Sequence, residues 1–354
     1  MEKSFDEQML EKLITLRTKK VVRILAIESS CDETSVAVVE NGRKVLSNVI
    51  SSQIEIHTRY GGVVPEIASR NHILAINPIL EQALKEANCT LDDIDAIAVT
   101  QGAGLVGALL VGVTSAKALS YVTKKPLIAV NHIKGHIAAN FIAHKNLKPP
   151  FVCLITSGGH TAIVKVVDFN KFLMIGTTQD DAIGEAFDKV ARILGLGYPG
   201  GPKIDKMAKG VVGNIKFVSH DAFEQGYDVS YSGLKTAVIN YVHKKEQNGE
   251  ELDIKNICAS FEREAVDMLT KKAIKACKQE GLNTIVLAGG VAANSYLRDS
   301  IKKLGEENDI VVLFPPLELC GDNAAMIGSL AYFNLLSENP ATLDMTAKPN
   351  IPLE

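Results

Sequence analysis

The runs ILAIESS (residues 24–30) and VCLITSGG (residues 152–159) decide how this chain is built. Each is a buried-type apolar strand that ends in a tight turn of small polar residues, and a second strand follows each turn, Thr34 to Glu40 in one case and Thr161 to Asp168 in the other. Working outward from the first run, Asn41-Gly42 is a two-residue hairpin signal and a third strand continues to about Ser52. A helix (about Pro65 to Asn88), a strand (Ala96 to Thr100), a small-residue helix (Leu105 to Tyr121), a strand (Leu127 to Val130) and a helix (about Ile133 to Ala143) complete the order βββαβαβα. Around the second run, a third strand covers Phe172 to Thr177 and a helix lies near Ala182 to Leu194. An irregular Gly/Pro-rich insertion then leads to a long helix (about Ile254 to Glu280), strand Thr284 to Ala288, a helix after Asn294, strand Ile310 to Phe314 and a helix from Asn323. One order used twice predicts an α/β fold of two lobes, each a mixed sheet covered by helices, around a central cleft. Pro149-Pro150 interrupts both helix and sheet and marks the boundary. Residues 22–148 with about 325–354 are expected in lobe I and 149–324 in lobe II. Residues 1–21 are expected to be a plain N-terminal extension, although Phe5, Met9, Leu13 and Leu16 would share one face of a helix.

Composition narrows the class. The chain has 354 residues, close to two domains of about 150 each. Lys plus Arg is 38 against 41 Asp plus Glu, a net charge of −3 that argues against a protein coating nucleic acid and leaves room only for local basic patches. Apolar residues are 46% of the chain, with 27 Gly and no Trp, which is a globular composition. The longest nearly apolar run, Ala103 to Val113, falls short of the ~20 residues a bilayer span needs. The charged opening MEKSFDEQMLEKL has no signal-peptide core. The six cysteines are scattered without a C-x-x-C pair, as in reduced cytosolic proteins. A cytoplasmic protein with no membrane association is expected.

Three groups of residues could carry chemistry. His132 and His136 are spaced i, i+4, which puts two imidazoles on one helix face within reach of one cation. Ile133 stands where a metalloprotease motif needs Glu, so that chemistry is not indicated. A third ligand must come from elsewhere, and Asp322, just past a strand end, is the best-placed carboxylate; its plain alternative is a helix N-cap. Two His and a carboxylate suit Fe(II) or Zn(II). The two hairpin turns, Glu28-Ser29-Ser30 and Ser157-Gly158-Gly159, can turn backbone N–H groups toward an anion and together would grip a phosphate chain. Tyr198-Pro199-Gly200-Gly201-Pro202-Lys203-Ile204-Asp205 is too stiff and Gly-rich for a routine connection, and Ala288-Gly289-Gly290 follows a strand and opens a helix, where a phosphate is welcome or where the glycines simply permit tight packing.

With those residues in view, the chain resembles the actin/Hsp70/sugar-kinase architecture, a duplicated actin-like ATPase fold. More specifically, ESSCDET (28–34), GGVVPEIASR (61–70), the His pair, SGGHT (157–161), the 180–188 stretch, YPGGP (198–202), SYSGLKT (230–236) and GGVAAN (289–294) resemble the TsaD family of tRNA N6-adenosine threonylcarbamoyltransferases. That resemblance, from about Val22 to about Leu336, implies transfer of threonylcarbamoyl from threonylcarbamoyl-AMP to N6 of the adenosine 3′ of the anticodon, in tRNAs reading codons that begin with A. It implies His132, His136 and Asp322 as ligands of one divalent metal, Fe(II) first and Zn(II) second. It implies Ile155, Thr156, Ser157, Gly158, Gly159, Asp188, Gly201, Asp205 and Asn294 as contacts of an adenylate or ATP-type nucleotide. It also implies work with TsaB and TsaE, with TsaC or its relative supplying the adenylate. Ala103 and Gly321 stand where the family usually has Pro and Thr, and neither change removes a ligand group.

No residue stands out as a general base. Lys124, Lys125, Lys134, Lys145 and Lys148 cluster in sequence near the His helix and could meet tRNA phosphates or simply form a solvated surface. The Leu105–Tyr121 helix, with Gly107, Ala108, Gly112, Ala116 and Ala118, permits close approach of a partner helix or of its own sheet. The rival activities are an ATP-dependent small-molecule kinase of the same fold, which would not need the His pair, and a nucleotide-switched binding protein of the Hsp70 type, which would need a peptide-binding domain.

Overall fold

The structure, a computed structural model, describes residues 3–218 and 226–353. Its elements begin with α1 (Phe5–Leu16), β1 (Arg23–Glu28), β2 (Glu33–Glu40), β3 (Lys44–Ser52), α2 (Ile54–Thr58), α3 (Pro65–Glu86), β4 (Ala96–Gly102), α4 (Val106–Thr123), β5 (Leu127–Asn131) and α5 (His132–Ala143). They continue with β6 (Phe151–Thr156), β7 (Thr161–Asp168), β8 (Lys171–Thr177), α6 (Ile183–Ile193), α7 (Gly200–Ala208), α8 (Ser232–Gln247) and α9 (Ile254–Gln279). β9 (Thr284–Ala288), α10 (Ser295–Glu306), β10 (Val311–Leu313) and α11 (Ala324–Ser337) close the chain.

Two compact units divide these elements. One holds the chain up to Lys148, Asp168–Lys171 and everything from Gly321 onward; the other holds Pro149–Val167 and Phe172–Cys320. The first contains a sheet ordered β3-β2-β1-β4-β5 and the second a sheet ordered β8-β7-β6-β9-β10. β1 is antiparallel to β2 and parallel to β4, and β6 is likewise antiparallel to β7 and parallel to β9. The sequence order read twice is therefore one topology built twice.

In the first unit the period-2 pattern sorts β1 between two layers. Leu25 and Ile27 join a core with Ile76, Ile79 and Ala83 of α3 and Val113 and Ala116 of α4. Ala26 points the other way, toward Gly328 of α11, where a Cβ would crowd Val39 and Ala26. In the second unit Val152 and Leu154 of β6 and Ile285 and Leu287 of β9 share a core with Phe187 of α6 and Phe261 of α9. Fully burying side chains of this size is worth about 1.5–3 kcal/mol each, so each sheet has its own stabilising core.

Some segments differ from expectation. Residues 5–16 form a helix, not a plain extension: Ser4 and Glu7 make a reciprocal capping box, and Met9 and Leu13 are buried on the first unit. The expected irregular insertion contains α7 and α8, with residues 219–225 outside those described. Its α8 carries Leu234, Val238 and Val242 as a buried i, i+4, i+8 stripe, and Asp180 accepts from the Tyr231 and Ser232 amides at its start. The small residues of α4 serve largely their own unit, because Ala108, Gly112 and Ala116 are buried and a Cβ on Gly112 would collide with Ser29 Oγ. α4 is long and apolar enough by composition to cross a membrane; in this fold it packs against β4 and α3.

Candidate functional site

The first unit assembles a cluster of His132, His136 and Asp322. Asn131 ends β5, and its side chain accepts from the Ile133 and Lys134 amides, starting α5 with His132 as its first residue. One turn later His136 lies edge-on to it, with ring centroids 4.7 Å apart. Asn323, not Asp322, caps α11 by accepting from the Met326 amide, which leaves the Asp322 carboxylate for other partners. Asp322 Oδ1 is 3.4 Å from His132 Nε2 and 3.1 Å from His136 Nε2. The sequence-based boundary put Asp322 in the second lobe; it belongs to the first unit, with both histidines.

The chemistry of this donor set fits a divalent cation. One donor atom from each residue lies within 4.8 Å of the others. Among the described residues both ring nitrogens of His136 are buried with no hydrogen bond, and its 3.1 Å approach to Asp322 lacks hydrogen-bond alignment. An orphaned buried imidazole costs free energy unless a ligand completes it. Two nitrogens and a carboxylate suit borderline ions such as Fe(II) and Zn(II). Burial opposes charge on both sides, yet the histidines hold Asp322 far below the usual carboxylate range, and Asp322 with Glu28 holds His132 well above the usual imidazole range. Nearby, burial and then the charge of Asp322 push the Glu33 carboxyl up to about 9.

The second unit gathers the residues expected at a nucleotide. Ile155 and Thr156 are fully buried at the end of β6, paired with β7, and support the turn from behind. Ser157 closes the turn by accepting from the His160 amide at 3.0 Å. Gly158 and Gly159 are exposed, and a Cβ on either would meet nothing among the described residues. Two other glycines carry the close packing behind them. Gly184 of α6 sits on the turn, where a Cβ would come within 2.7 Å of the Ser157 carbonyl. Gly289, at φ +91°, abuts the Thr156 carbonyl, so it packs the two strand ends together, while Gly290 has open space. Asp188 Oδ1 accepts from the Gly200 amide at 2.6 Å, fixing the start of α7, and Gly201 has open space. Farther along α7, Asp205 accepts from the Ser295 amide and hydroxyl. Asn294 beside it caps α10 through the Leu297 amide and donates to Glu262 Oε1 at 2.6 Å.

Two functional candidates escaped the sequence reading. Glu28, read only as part of a turn, is fully buried and contacts His132 Nδ1. Glu262 is 3% exposed on α9, and burial pushes its carboxyl up to about 7. A signal existed for Glu262: it falls on the buried 258-262-265-269 stripe of a helix, where a charge is out of place unless it is paired. Among the lysines, Lys125 is committed, its ammonium donating to the Leu91 and Ile94 carbonyls. Lys124 lies over the Phe5 and Tyr121 rings, 5.2 and 4.3 Å from their centroids.

Residues 44–329 match the family model described as TsaD, tRNA N6-adenosine threonylcarbamoyltransferase. A tRNA N6-adenosine threonylcarbamoyltransferase of Clostridium perfringens is 60% identical over 331 residues, covering 93% of this chain and 98% of that protein. One of Clostridium botulinum is 57% identical over 336 residues, covering 95% and 99%. Among solved structures, T. kodakarensis HypF superposes with a TM-score of 0.61 at 14% identity, covering 89% of this chain and 48% of that one. Component A of the Acidaminococcus fermentans (R)-2-hydroxyglutaryl-CoA dehydratase gives 0.54 at 14% identity, covering 89% and 99%. At such identity these two likenesses speak for the fold alone, the duplicated actin-like one.

Proposed function

This chain belongs to the TsaD family and is an enzyme that transfers a threonylcarbamoyl group to N6 of an adenosine in tRNA; on that premise we propose that the donor is threonylcarbamoyl-AMP. The acceptor is then the adenosine 3′ of the anticodon in tRNAs reading codons that begin with A, and AMP is the leaving product. The observation that carries the metal-assisted form of this reading is the convergence of His132, His136 and Asp322 on one point.

In this reading His132, His136 and Asp322 hold one divalent ion, Fe(II) before Zn(II), which when bound supplies Lewis-acid polarisation. The exposed backbone of Gly158 and Gly159, in the turn that Ser157 closes at the end of the strand carrying Ile155 and Thr156, receives the adenylate phosphate. Asp188, Gly201, Asp205 and Asn294 orient the nucleoside. The adenine N6 forms a bond to the carbamoyl carbon, the carbon–oxygen bond to phosphate breaks, AMP leaves with that electron pair, and N6 releases one proton. Since N6 is a weak nucleophile, orientation supplies much of the rate, and effective molarities for well-oriented groups reach about 10⁵–10⁸ M. An anticodon-loop base presented unstacked is the form in which single-stranded RNA is usually read.

The proposed setting is the cytoplasm, with TsaB and TsaE as protein partners and TsaC or its relative making the adenylate. The exposed apolar side chains Ile73 and Leu74 of α3 and Val106 and Leu110 of α4 support a protein contact there. The test is reconstitution with purified chain, unmodified tRNA and threonylcarbamoyl-AMP, with and without those proteins, read by mass spectrometry of tRNA nucleosides. Threonylcarbamoyladenosine formed repeatedly only with the helper proteins is the expected result. Multiple turnovers by the chain alone would remove the partner requirement, and no product under any combination would remove the donor assignment.

A further inference from the structure

Glu28 is a buried charge to which the reaction as described gives no task. It ends β1, is 0% exposed, and accepts three hydrogen bonds: from the Ser30 amide at 2.6 Å, from the Thr100 hydroxyl, and from His132 Nδ1 at 3.0 Å. Two of those donors are fixed to the sheet. Ser30 lies two residues along the same strand end, and Thr100 lies on β4, which pairs with β1 in parallel register through Ile27 and Val99. The carboxylate therefore cannot swing to follow the imidazole; the imidazole must align to the carboxylate.

We propose that Glu28 is a positioning residue of the metal centre: anchored by Ser30 and Thr100, it takes the Nδ1–H of His132 and so presents Nε2 of that ring, unprotonated, to the cation shared with Asp322. The inference rests on reading His132, His136 and Asp322 as a divalent-metal site. The two histidines are then unequal. His132 has its tautomer and ring plane set by Glu28 Oε2, with Ser30 Oγ a further 3.1 Å neighbour of the same nitrogen. His136 Nδ1 is buried with no such partner among the described residues. Carboxylate partners of this kind raise ligand basicity and remove the rotational freedom a ligand would otherwise lose on binding, and losing one weakens metal affinity by roughly 10–100-fold.

The test uses the full chain stripped with a chelator and then titrated with zinc. Zinc affinity is measured by competition with a chromophoric chelator, and histidine tautomers are read by nitrogen-15 NMR of histidine-labelled protein. In the zinc-loaded parent, His132 is expected to carry its proton on Nδ1 and bind through Nε2. Glu28→Gln is expected to bind zinc about 10–100-fold more weakly, with an unchanged far-ultraviolet circular dichroism spectrum. A purely structural tie between β1 and α5 would move neither readout. Parent-like zinc affinity in Glu28→Gln overturns the proposal, as does a His132 that binds through Nδ1. Should Glu28→Gln fail to fold, the tautomer of the parent still decides. If zinc shifts neither His132 nor His136, the metal centre itself falls and the role of Glu28 falls with it. If both histidines shift while Glu28→Gln binds like the parent, only the positioning role falls.

Discussion

The turn after β1 and the turn after β6 hold matching places in two sheets of the same strand order, yet one is filled and the other open. In the first, Ser29 and Ser30 are buried, Ser29 Oγ donates to the Ala108 carbonyl, and Glu28 takes the Ser30 amide. In the second, Gly158 and Gly159 are exposed and a Cβ on either meets no atom among the described residues. A duplicated backbone has thus been given two chemistries. Side chains at the first turn hold His132 of the His132–His136–Asp322 cluster, while at the second the backbone of Gly158 and Gly159 is left exposed, open to the anion proposed for it. The two turns differ in what they expose: the Ser30 N–H of the first is bonded to Glu28, whereas in the second the Ser157 N–H donates to the His160 carbonyl but Gly158 and Gly159 stay exposed.

This contrast breaks most decisively at the metal cluster beside the filled turn. His136→Ala is expected to lower threonylcarbamoyl transfer at least about a hundredfold, since a lost Lewis acid forfeits several kcal/mol of transition-state stabilisation. Asp322→Asn should follow it, and both should lose stoichiometric metal while melting within a few degrees of the parent. Elemental analysis beside steady-state kinetics checks this, and a His136→Ala protein with full metal and near-normal transfer defeats it.

The unit with the open turn also hides an acid, Glu262, and there the contrast sharpens through pH. Its carboxyl is raised by burial from 4.5 to about 7 in the native protein. Below pH 4.5 both folded and unfolded forms hold the proton. As pH climbs toward 7 the unfolded chain gives its proton up first, so stability falls, by up to about 3 kcal/mol, and levels off above. Glu262→Gln keeps an acceptor for Asn294 but cannot titrate. Urea unfolding at a series of pH values should show the variant more stable than the parent at pH 8 and lacking that part of the decline. Parallel curves for the two proteins would mean that Glu262 is ionised in the native state without cost.

A paired substitution tests the two turns directly. Gly158→Ala should leave stability within about 0.5 kcal/mol and weaken adenylate binding about tenfold, because the added methyl enters only the space left for the anion. Ser29→Ala should do the reverse, costing about 1 kcal/mol for a lost buried hydrogen bond without changing adenylate affinity. Calorimetric titration with an adenylate and thermal melts read both, and the contrast fails if the two variants behave alike.

Much of this molecule was legible from local pattern. Apolar runs such as 24–28 and 152–156 and the hairpin at Asn41-Gly42 fall where strands and turns form. α8 is also legible in its Leu234, Val238, Val242 stripe, but Gly226, Gly233 and Gly249 around it and the Gly/Pro-rich run at 195–202 ahead of it read as an irregular loop. α1 was underestimated because its merit as a helix comes from burying Met9 and Leu13, which depends on a surface supplied elsewhere in the chain.

By itself the sequence determined the repeated strand order, the family, and the pairing of His132 with His136, since one helical turn suffices to bring i and i+4 together. Only the tertiary structure decided which distant groups complete that pair. Asp322 arrives because α11 packs against α5 and is capped by the next residue, Asn323. Glu28 arrives because β5, which leads into α5, lies beside β4, which lies beside β1. Such meetings are set by sheet order and helix packing, which sum weak contacts over the whole unit, and no local spacing encodes them.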